Sequence, residues 1–417
     1  MAVVAVADLD AQDQADAPSA VKERLEGFAA QVLAEAMNRP VQVRNGGLYL
    51  RGLLEDGQRK SLEPLVARVG DEADYQSMQQ FLADSPWDPG LVVRAVAERV
   101  APQIDVEAWV LDDTGFPKDG KDSPGVKRQY SGTLGKIGNC QIGVSVHAAG
   151  RRGTVPLGWA LYLPKEWCED SERRGRAKIP TEVAFKTKHE LGVELVEQAT
   201  RWEVPRAPVL GDQAYGDSGE LRERLDEADS EYVLSVGPAA TVFAPETVFQ
   251  VPKRQGKSGR PRKRLRPDRK PESIGQLIAR VGPTSLQTVT FRDGPQGEPV
   301  TSRFAFLRVR TLKRWQNGAT DEPREEWLIA EWPEDHDEPT DYWLSNLPAD
   351  TEPERLARLA RLRWKIELDY KQLKGELGLD HYEGRSYLGW RHHTALVTAA
   401  HGFLTLERLH PKARRPA

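Results

Sequence analysis

Three acidic positions carry the residue types that could do chemistry. Asp112 and Asp113 end the apolar run Trp109-Val110-Leu111, and Asp212 ends the run Pro208-Val209-Leu210-Gly211. Carboxylates at the carboxyl ends of strands sit where open α/β sheets place their sites. Two of them on adjacent strands can bind magnesium through hard oxygen ligands. Capping of the helix that follows is the competing use of Asp212 or Asp217. Further along, Arg363, Glu367 and Lys374 are spaced by four and seven, which keeps them on one face of a helix. That stripe reads as a solvated ion pair, or as a carboxylate held between two cations beside a core, since Trp364, Ile366 and Tyr370 flank it. Strand alternation puts Asp112 and Asp113 on opposite faces, so only one of them faces any given site.

Other arrangements are weaker. Residues 115–121, Gly-Phe-Pro-Lys-Asp-Gly-Lys, match seven positions of a phosphate-cradling loop, but Asp122 stands where a Ser or Thr would ligate magnesium. Ser123-Pro124-Gly125 follows, not the helix whose N-terminus would hold phosphate. Cys140 precedes a buried-looking strand and reads as core packing. His392-His393 has no Cys or carboxylate at ligand spacing and reads as surface.

The elements that must position these residues follow from periodicity. Val21, Leu25, Phe28 and Val32 predict a helix from about Ser19, after a loose acidic terminus. Asn45-Gly46-Gly47 reads as a turn, and helical patterning resumes up to Val100, broken at Ser85-Pro86 and Asp88-Pro89-Gly90. From residue 101 the pattern changes. Trp109 to Leu111 reads as a strand. Residues 141–148 and 155–163 alternate and read as half-buried antiparallel strands. A helix bearing Leu191, Leu195, Ala199 and Trp202, a strand at 208–210, a helix bearing Leu221, Leu225 and Ala228, and a strand at 232–236 complete the order. After Gly237 the stretch 253–270 is a basic loop or arm. Strand-like runs at 286–291, 304–309, 327–330 and 342–344 form a β-rich insertion, and one long helix resumes near Pro353. The expected division is 1–100, an amino-terminal helical region; 101–237, the first part of the core; 238–350, the insertion; and 351–417, the last part of the core.

Composition bounds the function. The 417 residues are 39% hydrophobic and 29% charged, ordinary for a soluble globular chain. Two cysteines exclude a disulfide framework or a multi-cysteine zinc site. The early apolar run, residues 2–7, is too short to span a bilayer and lacks a basic lead, so a cytoplasmic protein is expected. The net charge of −4 hides an asymmetry: residues 1–100 carry 10 basic and 16 acidic groups, residues 253–270 carry 10 and one, and residues 355–417 carry 13 and 6. The basic segments suit a polyanionic partner.

Together the pieces resemble a family. Asp112-Asp113-Thr114-Gly115-Phe116-Pro117-Lys118, Gln129-Tyr130-Ser131-Gly132, Asn139-Cys140-Gln141 and Gly211-Asp212-Gln213-Ala214-Tyr215 resemble segments of DDE transposases of bacterial insertion sequences. The strand and helix order is similar to a ribonuclease H-like core, a mixed sheet flanked by helices. The β-rich insertion narrows this to the subgroup whose Tyr, Arg, Glu, Lys signature is spaced 3, 4 and 7. Arg363, Glu367 and Lys374 match it, and Ala360 stands at the Tyr position. Ser85-Pro86-Trp87-Asp88 also resembles the family's amino-terminal region.

The resemblance implies that Asp112 (Asp113 being its alternative), Asp212 and Glu367 hold two Mg²⁺ or Mn²⁺ ions about 4 Å apart. It implies phosphodiester cleavage at element ends and strand transfer into target DNA, by a homodimer on double-stranded DNA in the cytoplasm, at the nucleoid. Arg363, Lys371 and Lys374 would contact phosphates, and Lys253, Arg254, Arg260, Arg262, Lys263 and Arg264 would grip the DNA backbone with little sequence information. Two other readings use the same residues: a domesticated DNA-binding protein that does not cut, and a nucleotide-binding phosphotransferase built on residues 115–121.

Overall fold

The computed structural model describes residues 18–252, 263–294, 297–312 and 320–410. The described residues form two compact units, the first from residues 18–107, 111–206 and 365–410, the second from residues 108–110 and those described between 207 and 364.

The first unit opens with helices α1 (Pro18–Ala34), α2 (Pro40–Leu54), α3 (Leu62–Val69), α4 (Tyr75–Ala83) and α5 (Pro89–Val100). Asp88 caps α5 by accepting the Gly90 N–H at 2.8 Å, with Pro89 preset at the first helical position. The turn expected at Asn45-Gly46-Gly47 is instead the middle of α2. A Cβ on Gly46 would come within 2.7 Å of Leu33, so the glycine is there to let α1 approach, and Asn45 Nδ2 donates to Ser77 Oγ at 2.9 Å.

Four strands follow: β1 (Val106–Pro117), β2 (Lys127–Ser131), β3 (Lys136–Gly150) and β4 (Thr154–Leu161). Three helices follow them: α6 (Lys165–Glu169), α7 (Ser171–Arg176) and α8 (Lys188–Thr200), the last capped by Thr187 and Glu190 in a capping box. β3 pairs antiparallel with β2 and with β4, as alternation in 141–148 and 155–163 predicts. β2 itself is not visible in the sequence pattern.

β3 is buried on both faces rather than half-buried. Gly158 lies against Leu195 of α8, while the next residue, Trp159, donates its indole N–H to Thr398 at 3.0 Å. Successive strand residues point to opposite faces, so α8 covers one face and the carboxyl-terminal helix the other. The polar side of β3 (Gln141, Ser145, His147) is therefore core, not solvent-facing.

The second unit contains β5 (Val209–Gly211), α9 (Gln213–Gly216), α10 (Gly219–Glu227), β6 (Tyr232–Ser235), β7 (Thr241–Phe243), β8 (Phe249–Gln250), β9 (Arg266–Pro267), β10 (Glu272–Ser273), α11 (Ile274–Val281), β11 (Gln287–Asp293), β12 (Pro299–Thr311), β13 (Glu325–Glu331), β14 (Asp341–Ser345) and α12 (Pro353–Arg361). β5 and β6 are parallel, and the 108–110 stretch of β1 lies beside β5, where the Trp109 N–H donates to the Pro208 carbonyl at 2.9 Å. The insertion after Gly237 joins at β14, antiparallel to β6, and continues through β13, β12 and β7 to β10. One face of these strands packs Val242, Val309, Leu328 and Leu344 against Ile274, Leu277 and Ile278 of α11.

The chain returns to the first unit through α13 (Trp364–Gly375) and α14 (Tyr387–Leu409). The single late helix expected from the sequence is two. The Leu362 N–H bonds to Leu359, three residues back, and the α-helical ladder stops at 362–363. The α/β reading, with a mixed sheet flanked by helices, a β-rich insertion and amino-terminal helices, describes this molecule.

Candidate active site

Strand alternation in β1 separates the two adjacent acids. Leu111 reaches the α8 face, where a Cβ on Gly192 would lie 2.8 Å from it. Asp113, two residues on, shares that face and pairs with Lys188 of α8 at 3.0 Å. Asp112 points the other way, toward α13. It is 9% exposed, and its Oδ1 accepts the Asp113 N–H at 2.7 Å.

α13 runs alongside the far half of β1. Lys374 Nζ donates to the Gly115 carbonyl at 2.7 Å and to Thr133 Oγ1 at 3.0 Å. Its partly buried ammonium is pushed down to about 8 by desolvation. One turn earlier, the Tyr370 hydroxyl bonds Ser145 Oγ at 2.8 Å. Burial, and then the nearby Asp112 carboxylate, hold that phenol well above its ordinary pKa. Phe116, which shares the Asp112 face of β1, has its ring centroid 5.6 Å from the Lys374 ammonium, so α13 lies on that face.

Glu367 lies three residues before Tyr370 and is exposed, as is Lys371. Arg363 sits in the break before α13 and is not on one continuous helix with Glu367. Ala360, at the departed Tyr position, is buried on α12. Glu376 follows the end of α13 and accepts from Gln372 Nε2 at 2.8 Å.

Asp212 sits at the carboxyl end of β5 and caps α9, accepting the Tyr215 N–H at 3.2 Å. The capping anticipated for this residue is therefore real. Asp217 does not cap α10, where Ser218 does so; it accepts the Gly237 N–H at 2.9 Å. Lys263 and Arg264 are exposed, while Lys253, Arg254, Arg260 and Arg262 lie outside the described residues.

Sequence reasoning missed a buried polar cluster behind this site. Asp369, on the inward side of α13, accepts from His147 Nδ1 at 2.8 Å and from Thr154 Oγ1 at 2.5 Å, with His401 Nε2 at 3.8 Å. Burial pushes this carboxyl up, but the His147 hydrogen bond and the nearby histidines outweigh it and hold it below its ordinary value. The signal was present: Asp369 falls in the apolar stripe Ile366, Leu373, Leu377, where a lone acid is costly unless paired.

The histidines read as surface are also buried. His392 stacks on Trp87 at 3.8 Å between ring centroids, and its two ring nitrogens lie 2.8 and 3.0 Å from the carbonyls of Leu82 and Trp87, to one of which the neutral ring donates. His393 accepts from the Tyr49 hydroxyl at 2.9 Å. Cys140 is buried, as expected for packing. Residues 115–121 begin inside β1 and lead into no helix, so the phosphate-loop alternative lacks its anion-binding helix terminus.

Among the described residues, no group of three or more His, Cys, Asp or Glu side chains stands ready to hold a metal ion. The carboxylate oxygens of Asp112 and Glu367 are the donor type that a hard divalent cation takes.

With this geometry in hand, comparison with known proteins supplies the family. The chain belongs to the DDE superfamily endonucleases, whose family model matches residues 32–298. A relative is a probable transposase for insertion sequence element IS701 from Microchaete diplosiphon, 29% identical over 188 residues. That match takes in 44% of this chain and 46% of the relative, so the chain spans about half of the relative's length. Among solved structures, a piggyBac transposase synaptic complex with hairpin DNA covers 93% of this chain and 72% of its own, at 11% identity and a TM-score of 0.39. No helix among the described residues is long and apolar enough to cross a membrane.

Proposed function

We propose that this chain is a DNA transposase that cuts phosphodiester bonds at the ends of an insertion sequence and joins them to target DNA, with Asp112, Asp212 and Glu367 as its acidic residues. The observation that carries the reading is the split of the two adjacent acids: Asp113 is spent on Lys188 of α8, and Asp112 shares the opposite face of β1 with Phe116, against which Lys374 of α13 sits.

Register supports Glu367. Lys374 meets Gly115, and seven helical residues back to Glu367 span about 10 Å. Three strand residues from Gly115 back to Asp112 also span about 10 Å. Tyr370, between them on the helix, is anchored to Ser145 of β3, and a helix running in the same sense as β1 would bring Glu367 level with Asp112. Asp212 enters on its place at the end of β5.

A magnesium or manganese ion pair held by these carboxylates would supply a lowered pKa for the attacking water and charge stabilisation for the leaving oxygen. The chain's own residues do the positioning. Lys374 fixes α13 to β1, Tyr370 fixes it to β3, and Lys188 keeps Asp113 from drawing a cation to the wrong face. Double-stranded DNA is the partner, bound by a dimer of this chain, with Arg363, Lys371 and the basic stretch from Lys253 to Arg264 along its backbone.

Cleavage of a labelled duplex carrying the element's end tests this. We expect cutting with Mg²⁺ and none in chelator. Asp112→Asn and Glu367→Gln should lose it while still binding DNA, and Asp113→Asn should retain it. Cutting by Asp112→Asn with loss in Asp113→Asn would reverse the assignment. Wild-type binding that never leads to cutting would favour the domesticated reading.

A further inference from the structure

β2 is the edge strand of its sheet, and its hairpin with β3 exposes two large apolar side chains. Tyr130 is 64% exposed and Ile137 58%. They are direct cross-strand partners, so they form one patch on one face. Arg128, two residues before Tyr130, lies on that face, and its partner there is Asn139. Residues 127–136 contain Lys127, Arg128 and Lys136 and no acid. Lys127 pairs with Glu166 at 2.5 Å on an exposed surface.

The patch also shares a sheet face with Asp112. Ile137 and Asn139 have the same parity along β3 as Ser145 and His147, which reach Tyr370 and Asp369 of α13. Asp112 faces α13 as well. The turn that ends the hairpin is fastened to β1 just past Asp112: Thr133 Oγ1 accepts the Gly115 N–H at 3.2 Å, and Gly115 has no room for a Cβ against Ser131. A cationic edge with an exposed aromatic ring is the arrangement by which single-stranded nucleic acid is held, phosphates on cations and bases on rings.

We propose that the β2–β3 hairpin is a DNA-binding element in which Tyr130, backed by Ile137, stacks on an unpaired base next to the cleaved bond. The proposal rests on the transposase reading above. The ring supplies a stacking face that tolerates any base, and Arg128, exposed on the same face, takes a flanking phosphate. A second copy of this chain is the competing occupant; the exposed Arg128 beside Tyr130, in a ten-residue hairpin segment that contains no acid, favours a polyanion over an identical surface.

The full chain is titrated with two fluorescent duplexes, one blunt and one with a short unpaired tail carrying 2-aminopurine. We expect the tailed duplex to bind more tightly and its 2-aminopurine to be quenched. Tyr130→Ala should weaken the tailed duplex about ten-fold or more and remove the quenching, with little change on the blunt one. Tyr130→Phe should restore both, since stacking needs the ring and not the hydroxyl. Equal affinity of Tyr130→Ala and wild type for the tailed duplex overturns the proposal. So does a wild-type dimer that Tyr130→Ala converts to monomer without loss of tail binding. Wild-type binding to neither duplex would sink the transposase reading together with it.

Discussion

At the scale of single residues, the informative contrast is between two buried or half-buried carboxylates and their uses. Asp113 and Lys188 form a partly exposed pair, and pairs of that kind contribute roughly 0–1 kcal/mol. Asp369 is buried with His147, Thr154 and His401, and breaking such a cluster leaves polar groups without partners. Asp369→Asn should therefore cost about 3–5 kcal/mol of unfolding free energy, and Asp113→Asn under about 1. Urea midpoints of the two variants check this, and equal shifts would contradict it. The buried histidines add a pH dependence. Burial pushes His392, His393 and His401 down to about 4, whereas in the unfolded chain they titrate near 6.5. Between those values the unfolded chain binds more protons, so stability is lost as pH falls from 6.5 toward 4. The steepest slope is about 1.4 kcal/mol per pH unit for each histidine. A urea midpoint that stays flat between pH 6.5 and 5 would show that they do not stay neutral. The sequence could say that Asp112 and Asp113 face opposite ways. It could not say which face α13 would cover, because that depends on a helix about 250 residues away in the chain.

Among the elements, legibility followed the period of the apolar residues. α1, α5, α8 and the β3–β4 pair show clean periods and were readable. β2 was not: its residues, Lys127-Arg128-Gln129-Tyr130-Ser131, bury only the last. A strand held by backbone pairing at an edge leaves little apolar signal. The glycines in α2 misled for a different reason. Gly46-Gly47 has turn chemistry locally, yet Gly46 is selected by the closeness of Leu33 and Met37. The two positions should respond oppositely to the same change. Gly46→Ala puts a Cβ 2.7 Å from Leu33 and should cost about 1–3 kcal/mol. Gly47→Ala meets nothing within 4 Å and should gain up to about 1 kcal/mol from helix propensity. Thermal midpoints of the two variants decide it, and destabilisation by both would mean that the helix tolerates neither for a backbone reason. The split of the late helix was hidden because its apolar stripe runs through Leu362 without a Pro or Gly to mark the stop.

For the whole molecule, charge distribution says more than net charge. The net of −4 would argue against a polyanionic partner if it were spread evenly. It is not, because seven of the basic residues fall in the twelve positions 253–264 with no acid among them. The neighbouring residues are structural and should be kept apart from these. Arg266 and Pro267 form β9 against Phe249 and Gln250, Asp268 accepts the Val248 N–H at 3.0 Å, and Arg269 pairs with Glu246 at 2.9 Å. A deletion reaching residue 270 would remove that ribbon as well as the cations. Removing 253–264 alone takes the charge and leaves the ribbon. If the segment grips phosphates, its removal should weaken binding to every duplex by a similar factor. It should also flatten the plot of log affinity against log salt by about 0.9 for each phosphate no longer neutralised. Preference between an element end and unrelated DNA should stay as it was, since cations on phosphates position the protein without reading bases. An unchanged salt slope would mean that these seven cations do not touch DNA. A vanished preference with an unchanged slope would mean that the segment reads sequence, and recognition of the ends would then have to be sought there rather than in residues 1–100, where acids outnumber bases.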